Sequence, residues 1–403
     1  MAASELARAL GLDGVIAAEL DALDRQGLRR QLRCVEHEAG CHDVQVDGRA
    51  ALSFASCDYL GLAGHPRLAR AAADAATGEG TSSGSARLLA GNDEALLALE
   101  AELAGAFGAP GPDGAAPAAL VFSSGYLANL GLLTALAGPD DLLVSDRLGH
   151  ASTVDACRLT GATVDIVPHN DLDAVSRALE AAPRHRRTFV LAEGLYSMDG
   201  DVAPLAELVD RAEDAGAHVL LDDAHGLGSV GPDGRGAAAA AGVAHRVAAQ
   251  VGNLGKALGS FGAFVVCSPT LRELLVQTSR PFVFTCAPPP PVVAAAREAL
   301  AVRRDEPERT ARLRDTGRRL RAGLAAAGIE ALPGQGPIVP VVVGDGERAV
   351  EASRRLLERG VFVPAVRPPT VPAGSSRLRL TVTAAHSPDE IDRVVRELAE
   401  VLP

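Results

Sequence analysis

From about residue 118 to residue 268, short apolar runs alternate with longer segments whose apolar residues recur at helical spacing. "AALVF" (118–122) precedes "SGYLANLGLLTALAG", and "DLLVSD" (141–146) precedes "HASTVDACRLTG". "ATVDIVPH" (162–169) precedes "DLDAVSRALEAA", and "RTFVLAEG" (187–194) precedes "PLAELVDRAEDAG". "AHVLLDDAH", "VAAQVGN" and "FGAFVVC" complete the series. Short β-type runs separated by amphipathic helices predict an α/β fold with a mainly parallel sheet covered on both faces. Ligands of such sheets sit beyond the carboxyl ends of the strands. The polar residues at those ends are Ser123, Asp146, Glu193, Asp222 and Asn253.

The proline run in "RPFVFTCAPPPPVV" closes this region, since it continues neither a helix nor a central strand. One long charged helical stretch follows, "AAAREALAVRRDEPERTARLRDTGRRLRAGLAAAG". Beyond it, "PIVPVVVGD", "RAVEASRRLLERG", "VFVPAV", "RLRLTVT" and "PDEIDRVVRELAEVL" read as a small α+β unit. The expected organisation is an N-terminal helical and β segment (1–55), a large domain (56–291) and a small C-terminal domain (292–403). The N-terminal helices are expected to pack near the small domain.

With 403 residues the chain can bury a large core and form more than one domain. A formal net charge of −12 argues against a nucleic-acid partner, which requires a basic face. No run of about 20 apolar residues is unbroken, so no membrane span is expected. The start lacks a basic-then-apolar signal layout. Six scattered cysteines, with no CxxC and no histidine at metal spacing, suggest reduced thiols in a cytoplasm and no metal site.

"VGNLGKALGS" (251–260) places Lys256 among glycines beside apolar runs. A buried ammonium is costly unless it is paired or neutralised. One strand earlier, "HVLLDDAHG" ends in Asp222, Asp223 and His225. A carboxylate there is equally a helix cap when taken alone. Together, an acid at one strand end and a lysine after the next suit pyridoxal phosphate, which needs a lysine for its aldehyde and a carboxylate for its pyridine nitrogen. In "FSSGYLAN", the first-turn N–H groups at Gly125 and Tyr126 suit a phosphate, although serine before a helix is usually only an N-cap. His150 in "DRLGHAST" is either a ring-stacking residue or a cap.

Seven segments in order, "GTSSGSARLLAGN", "FSSGYLANLG", "DRLGHASTVDACRLTGA", "EGLYSMDGDVAPL", "LDDAHGLGSVGPDGRG", "GNLGKALGS" and "RPPTVPAGSSRLRLTVTAAH", resemble the α-oxoamine synthases. The resemblance runs from about residue 45 to the C-terminus. It implies a fold type I pyridoxal phosphate enzyme, with a large domain built on a mainly parallel seven-stranded sheet and a small α+β domain. Such enzymes condense an amino acid with an acyl-CoA and release carbon dioxide. The tail is most similar to members that use L-alanine and a pimeloyl group, carried by CoA or a carrier protein, in biotin synthesis. Sibling activities use glycine or serine; the alternative of another class is a non-catalytic binding subunit.

Residue by residue, the resemblance makes Lys256 the cofactor lysine, Asp222 the acid at the pyridine nitrogen, His225 the residue at the phenolic oxygen and His150 the stacking histidine. Gly125, Tyr126, Ser197 and Asn253 become cofactor contacts, and Thr285 a phosphate contact offered to a neighbouring subunit of a homodimer. Arg367 becomes the holder of the amino-acid carboxylate, with Thr370 in the same loop. Arg29 or Arg30 becomes the arginine of the acyl substrate. Two departures stand out. Cys57 occupies the place of an asparagine, and a thiol is the poorer donor. Asn253 occupies the place of threonine or serine, and its amide can still donate to a phosphate.

Overall fold

The apolar runs become strands because their residues alternate between two buried faces. Leu142 and Val144 join one core and Leu143 the other; Phe189, Val190 and Leu191, and Val219, Leu220 and Leu221, divide in the same way. The computed structural model describes residues 3–37, 42–111 and 114–402. Among them, a seven-stranded sheet runs in the order Ala118–Phe122, Ala263–Cys267, Ala249–Asn253, His218–Asp222, Thr188–Glu193, Leu142–Asp146, Thr163–Val167. Only Ala263–Cys267 is antiparallel to its neighbours. The helices Gly125–Leu136 and Ala151–Thr160 cover one face, and Leu172–Leu179 and Leu205–Asp214 cover the other. This is the fold type I architecture.

Two smaller sheets accompany it. Val35–His37, Asp43–Val46 and Arg49–Ser53 are joined by Val361–Phe362, which pairs parallel to Arg49–Ser53. Ile338–Gly344, Ser376–Thr381 and Ala365–Val366 form an antiparallel sheet. The run "VFVPAV" is therefore split between two sheets, at Pro364, which has no N–H to continue a ladder. The stretch expected as one long helix is two, Pro290–Asp305 and Glu308–Ala326, broken before Pro307. The first of these packs against Pro66–Gly78 and Glu94–Phe107, so chain beyond residue 291 lies on helices of the central stretch. Among the described residues, no helix is long and apolar enough to cross a membrane, and no His, Cys, Asp or Glu cluster could hold a metal ion. Cys41 lies outside the described residues; the other five cysteines are free.

One ion cluster holds the loop that follows Glu193. His169 Nδ1 lies 3.0 Å from Asp146 Oδ2, and its Nε2 lies 2.9 Å from Asp201 Oδ2. Both ring nitrogens face carboxylates, so both donate and the ring is a cation. Burial opposes that charge, but the bonds to Asp146 and Asp201 outweigh it and raise the pKa to about 10. Tyr196, itself buried, packs edge-on against the ring at 4.4 Å.

His169→Gln is expected to lower the unfolding free energy by about 2 kcal/mol near neutral pH, the scale of a charged hydrogen bond. The folded-state pKa stands above the usual 6.5, so the wild-type advantage is full below pH 6.5 and fades as pH rises through about 10. Denaturant melts of both proteins across that range check this; a constant difference would contradict it.

Candidate active site at the sheet's carboxyl edge

Lys256 follows the strand Ala249–Asn253 in a tight turn. It is the one lysine among the chain's 39 Lys and Arg residues. Gly259 closes the turn with φ 58°, and a Cβ there would meet the Ala63 nitrogen at 2.5 Å. Only glycine permits so close an approach, and it sets Lys256 against the segment that carries Cys57 and Tyr59. Lys256 is half-buried and makes no side-chain hydrogen bond or ion pair with the described residues. Burial pulls its pKa below the ordinary lysine value, while Asp222, Cys57 and Glu193 act in the other direction.

Asp222 ends its strand beside Glu193, its cross-strand partner. Its Oδ2 accepts a 2.6 Å bond from Asn129 Nδ2, and its Oδ1 accepts from the Ala224 N–H at 3.1 Å. Asn129 also donates to Ser152 Oγ at 3.0 Å, and that hydroxyl lies 2.7 Å from His150 Nδ1. The Ser152 N–H donates to the same nitrogen, so His150 caps the helix Ala151–Thr160. Desolvation holds the His150 pKa down. Glu193 is sealed from water, with Oε2 accepting from the Ser197 N–H at 3.1 Å and Oε1 without a partner among the described residues. Burial first, and Asp222 second, push its pKa well above the usual range.

Ser124 caps the helix Gly125–Leu136, leaving the Gly125 and Tyr126 N–H groups at its open end. A Cβ on Gly125 would sit 3.0 Å from Asn253 Nδ2. Asn253 Oδ1 accepts from the Gly255 N–H at 2.8 Å, so its free donor faces the helix end. Three donors therefore converge where an anion would lie. The Tyr126 phenol, on the open side, donates to Asp155.

His225 is buried, with Nδ1 2.5 Å from the phenol oxygen of fully buried Tyr59. Burial, with Lys256 and Arg379 nearby, drives its pKa well below the usual value. Arg379 is buried too; its Nε donates to the Ser197 carbonyl at 2.6 Å and its Nη1 to Thr381 Oγ1 at 3.0 Å. Arg377, two residues back on the same strand, binds Asp199 at 2.7 Å.

The structure thus brings Lys256, Asp222, His225, His150, Ser197, Asn253, Gly125 and Cys57 into one neighbourhood. It separates others. The Arg367 guanidinium donates to the carbonyls of Gly27 and Arg29, and the arginine that bears on Lys256 is Arg379. Arg29 pairs with Asp24 at 2.5 Å, whereas Arg30 lines a cleft of about 630 Å³ with Arg147, His150, Ser197 and Thr370. Thr285 is half-exposed, next to the bridge between Ala86 and Cys286. Asn129, Ser152, Tyr59 and Arg379 were not singled out from the sequence. The alternation of Arg377 and Arg379 in an otherwise apolar strand was the available signal.

A single lysine makes its titration directly readable. Reductive ¹³C-methylation of the cofactor-free chain should give one dimethyl-lysine resonance apart from the α-amine. Its midpoint is expected below the usual value of about 10.4. An ordinary midpoint would mean that Lys256 is solvated.

Residues 50–398 match the family described as aminotransferase class I and II. A relative from Trichlorobacter lovleyi named 8-amino-7-oxononanoate synthase is 45% identical over 389 residues, 96% of this chain and 97% of that one. One of the same name from Anaeromyxobacter dehalogenans is 48% identical over 388 residues, 96% and 95% of the two chains. The solved serine palmitoyltransferase of S. paucimobilis, with a bound PLP–myriocin aldimine, superposes with a TM-score of 0.89 at 31% identity, over 96% of each chain. A likeness that covers nearly the whole chain in both sequence and fold places it in the aminotransferase class I and II family, among the α-oxoamine synthases.

Proposed function

We propose that this chain uses pyridoxal 5′-phosphate to condense L-alanine with a pimeloyl thioester, of CoA or a carrier protein, giving 8-amino-7-oxononanoate, the free thiol and carbon dioxide. The carrying observation is a lone, half-buried lysine without an ion-pair partner among the described residues, set beside Asp222 at the sheet's carboxyl edge. The residues fit the cofactor. Lys256 is available to its aldehyde, Asp222 to its pyridine nitrogen, and the Gly125, Tyr126 and Asn253 donors to its phosphate. Bound there, it supplies an electron sink for the bond broken at the amino acid's α-carbon.

The chain's own groups have separable tasks. Asp222, held by Asn129, keeps a proton on the pyridine nitrogen. Lys256 Nζ, with its pKa lowered by burial, takes the α-proton as a general base. Arg379 holds the substrate carboxylate until it leaves as carbon dioxide. Arg30 and Arg147 at the cleft offer positive charge to a phosphate-bearing acyl donor, in a chain whose net charge is −12, whereas Arg158 there is paired with Asp155. Ser197 and His225 belong to the ring's surroundings, and His150 offers its ring face. A homodimer in the cytoplasm belongs to the same reading. Leu88, Leu89, Phe261 and Phe284 are exposed apolar residues, and the Ala86–Cys286 bridge sets the first pair near Phe284.

Incubation with pyridoxal phosphate, L-alanine and pimeloyl-CoA should release carbon dioxide and a free thiol, and glycine or serine should be poor replacements. Lys256→Ala should lose about 10³-fold or more. Turnover by that variant would overturn the mechanism, and a preference for glycine or serine would move the assignment to a sibling activity. Arg379→Ala should lower kcat/KM for alanine roughly 10- to 100-fold, the loss of a charged hydrogen-bond pair, with Arg367→Ala much milder. The reverse ranking would return the carboxylate to Arg367. Sedimentation of the protein at micromolar concentration should give a dimer, and Leu89→Asp should weaken it; a monomeric wild type would contradict the dimer.

A further inference from the structure

We propose that Tyr59 is a positioning residue that fixes the tautomer of His225, so that His225 presents Nε2–H, a donor, to the Lys256 site. This rests on the reading that Lys256 holds pyridoxal phosphate.

The segment "SCDYLG" is a rigid mount for the phenol. Asp58 accepts from the Leu62 and Ala63 N–H groups at 2.8 and 3.0 Å, closing a turn around Tyr59. The Ala384 N–H donates to the Tyr59 carbonyl at 2.7 Å. On the other side, the His225 carbonyl accepts from Ser229 Oγ. The backbone at both residues is therefore held, and their polar side-chain atoms meet at 2.5 Å.

The direction of that bond follows from the neighbours. Arg379 lies near the same phenol and carries donors only, so it cannot take the phenol hydrogen. The Cys57 sulfur, the other neighbour, is a weak acceptor. The phenol hydrogen goes to His225 Nδ1. Burial keeps that hydrogen on the tyrosine and keeps the imidazole neutral beside Lys256 and Arg379. A neutral imidazole that accepts at Nδ1 carries its hydrogen at Nε2. Nε2 has no protein partner among the described residues and is not among the atoms sealed from water. A donor fixed there stabilises negative charge on a ring oxygen; the other tautomer would oppose it.

Tyr59→Phe keeps the volume and removes the hydroxyl. Histidine ¹⁵N spectra of the full chain as purified should show His225 protonated at Nε2 alone in the wild type and at either nitrogen in the variant. The pH titration of the holoprotein's visible band should move up by about 0.5–1 pH unit in Tyr59→Phe, the scale of one lost hydrogen bond. In a His225→Asn background the same substitution should add no shift, which a merely structural role would not reproduce. A wild-type His225 protonated at Nδ1, or an unmoved titration in Tyr59→Phe, overturns the proposal. A wild type that takes up no cofactor instead removes the functional reading, and the histidine spectra still decide the tautomer.

Discussion

Lys256 can sit half-buried because the polar ends of three neighbouring strands and one helix end gather around it. Asp222, Glu193, Asn253 and the Ser124-capped helix end reach the same edge of one sheet. In a parallel sheet every carboxyl end lies on one side, so a single topology delivers an acid, an amide and a helix dipole to one place. The lone antiparallel strand, Ala263–Cys267, matters here. Paired on both sides, it lies between Ala118–Phe122 and Ala249–Asn253, and the helix end at Gly125 reaches Asn253 across it.

Loops from the small sheets complete what the large sheet begins. Ser376–Thr381 sends Arg377 and Arg379 to one loop, 194–202, through Asp199, the Met198 carbonyl and the Ser197 carbonyl. The same loop is tied from below by His169 between Asp146 and Asp201. It is thus held by cations from two directions, and its backbone carbonyls serve as the acceptors that buried guanidinium groups require. The position of Arg379, and so of any carboxylate it binds, depends on this loop.

Much of this order was legible beforehand. Short apolar runs between segments of helical spacing marked the strands and helices of the large sheet, and glycines around Lys256 marked a close approach. Arg367 was a different matter. An arginine beside two prolines in a loop resembles a ligand-binding residue, yet here it binds the carbonyls of Gly27 and Arg29 and anchors the N-terminal segment. Arg379 was hidden inside "RLRLTVT", which reads as an ordinary strand until Arg377 and Arg379 are seen to share one buried face. Tyr59 and Asn129 were equally hidden. Each acts through a partner far along the chain, His225 and Asp222, and only the folded geometry brings them together.

The proton inventory of the site explains why these quieter residues are needed. Asp222 and Glu193 are cross-strand neighbours, and two carboxylates so close would oppose each other's ionisation. Burial pushes the Glu193 pKa up and so favours its neutral form beside Asp222, to which Asn129 bonds. The histidines follow the same rule. His150 and His225 both lose their charge to desolvation, and each has its Nδ1 occupied, by Ser152 and Tyr59. Burial thus biases Glu193, His150 and His225 toward their neutral forms, and the same burial lowers the pKa of Lys256, the group that must exchange a proton.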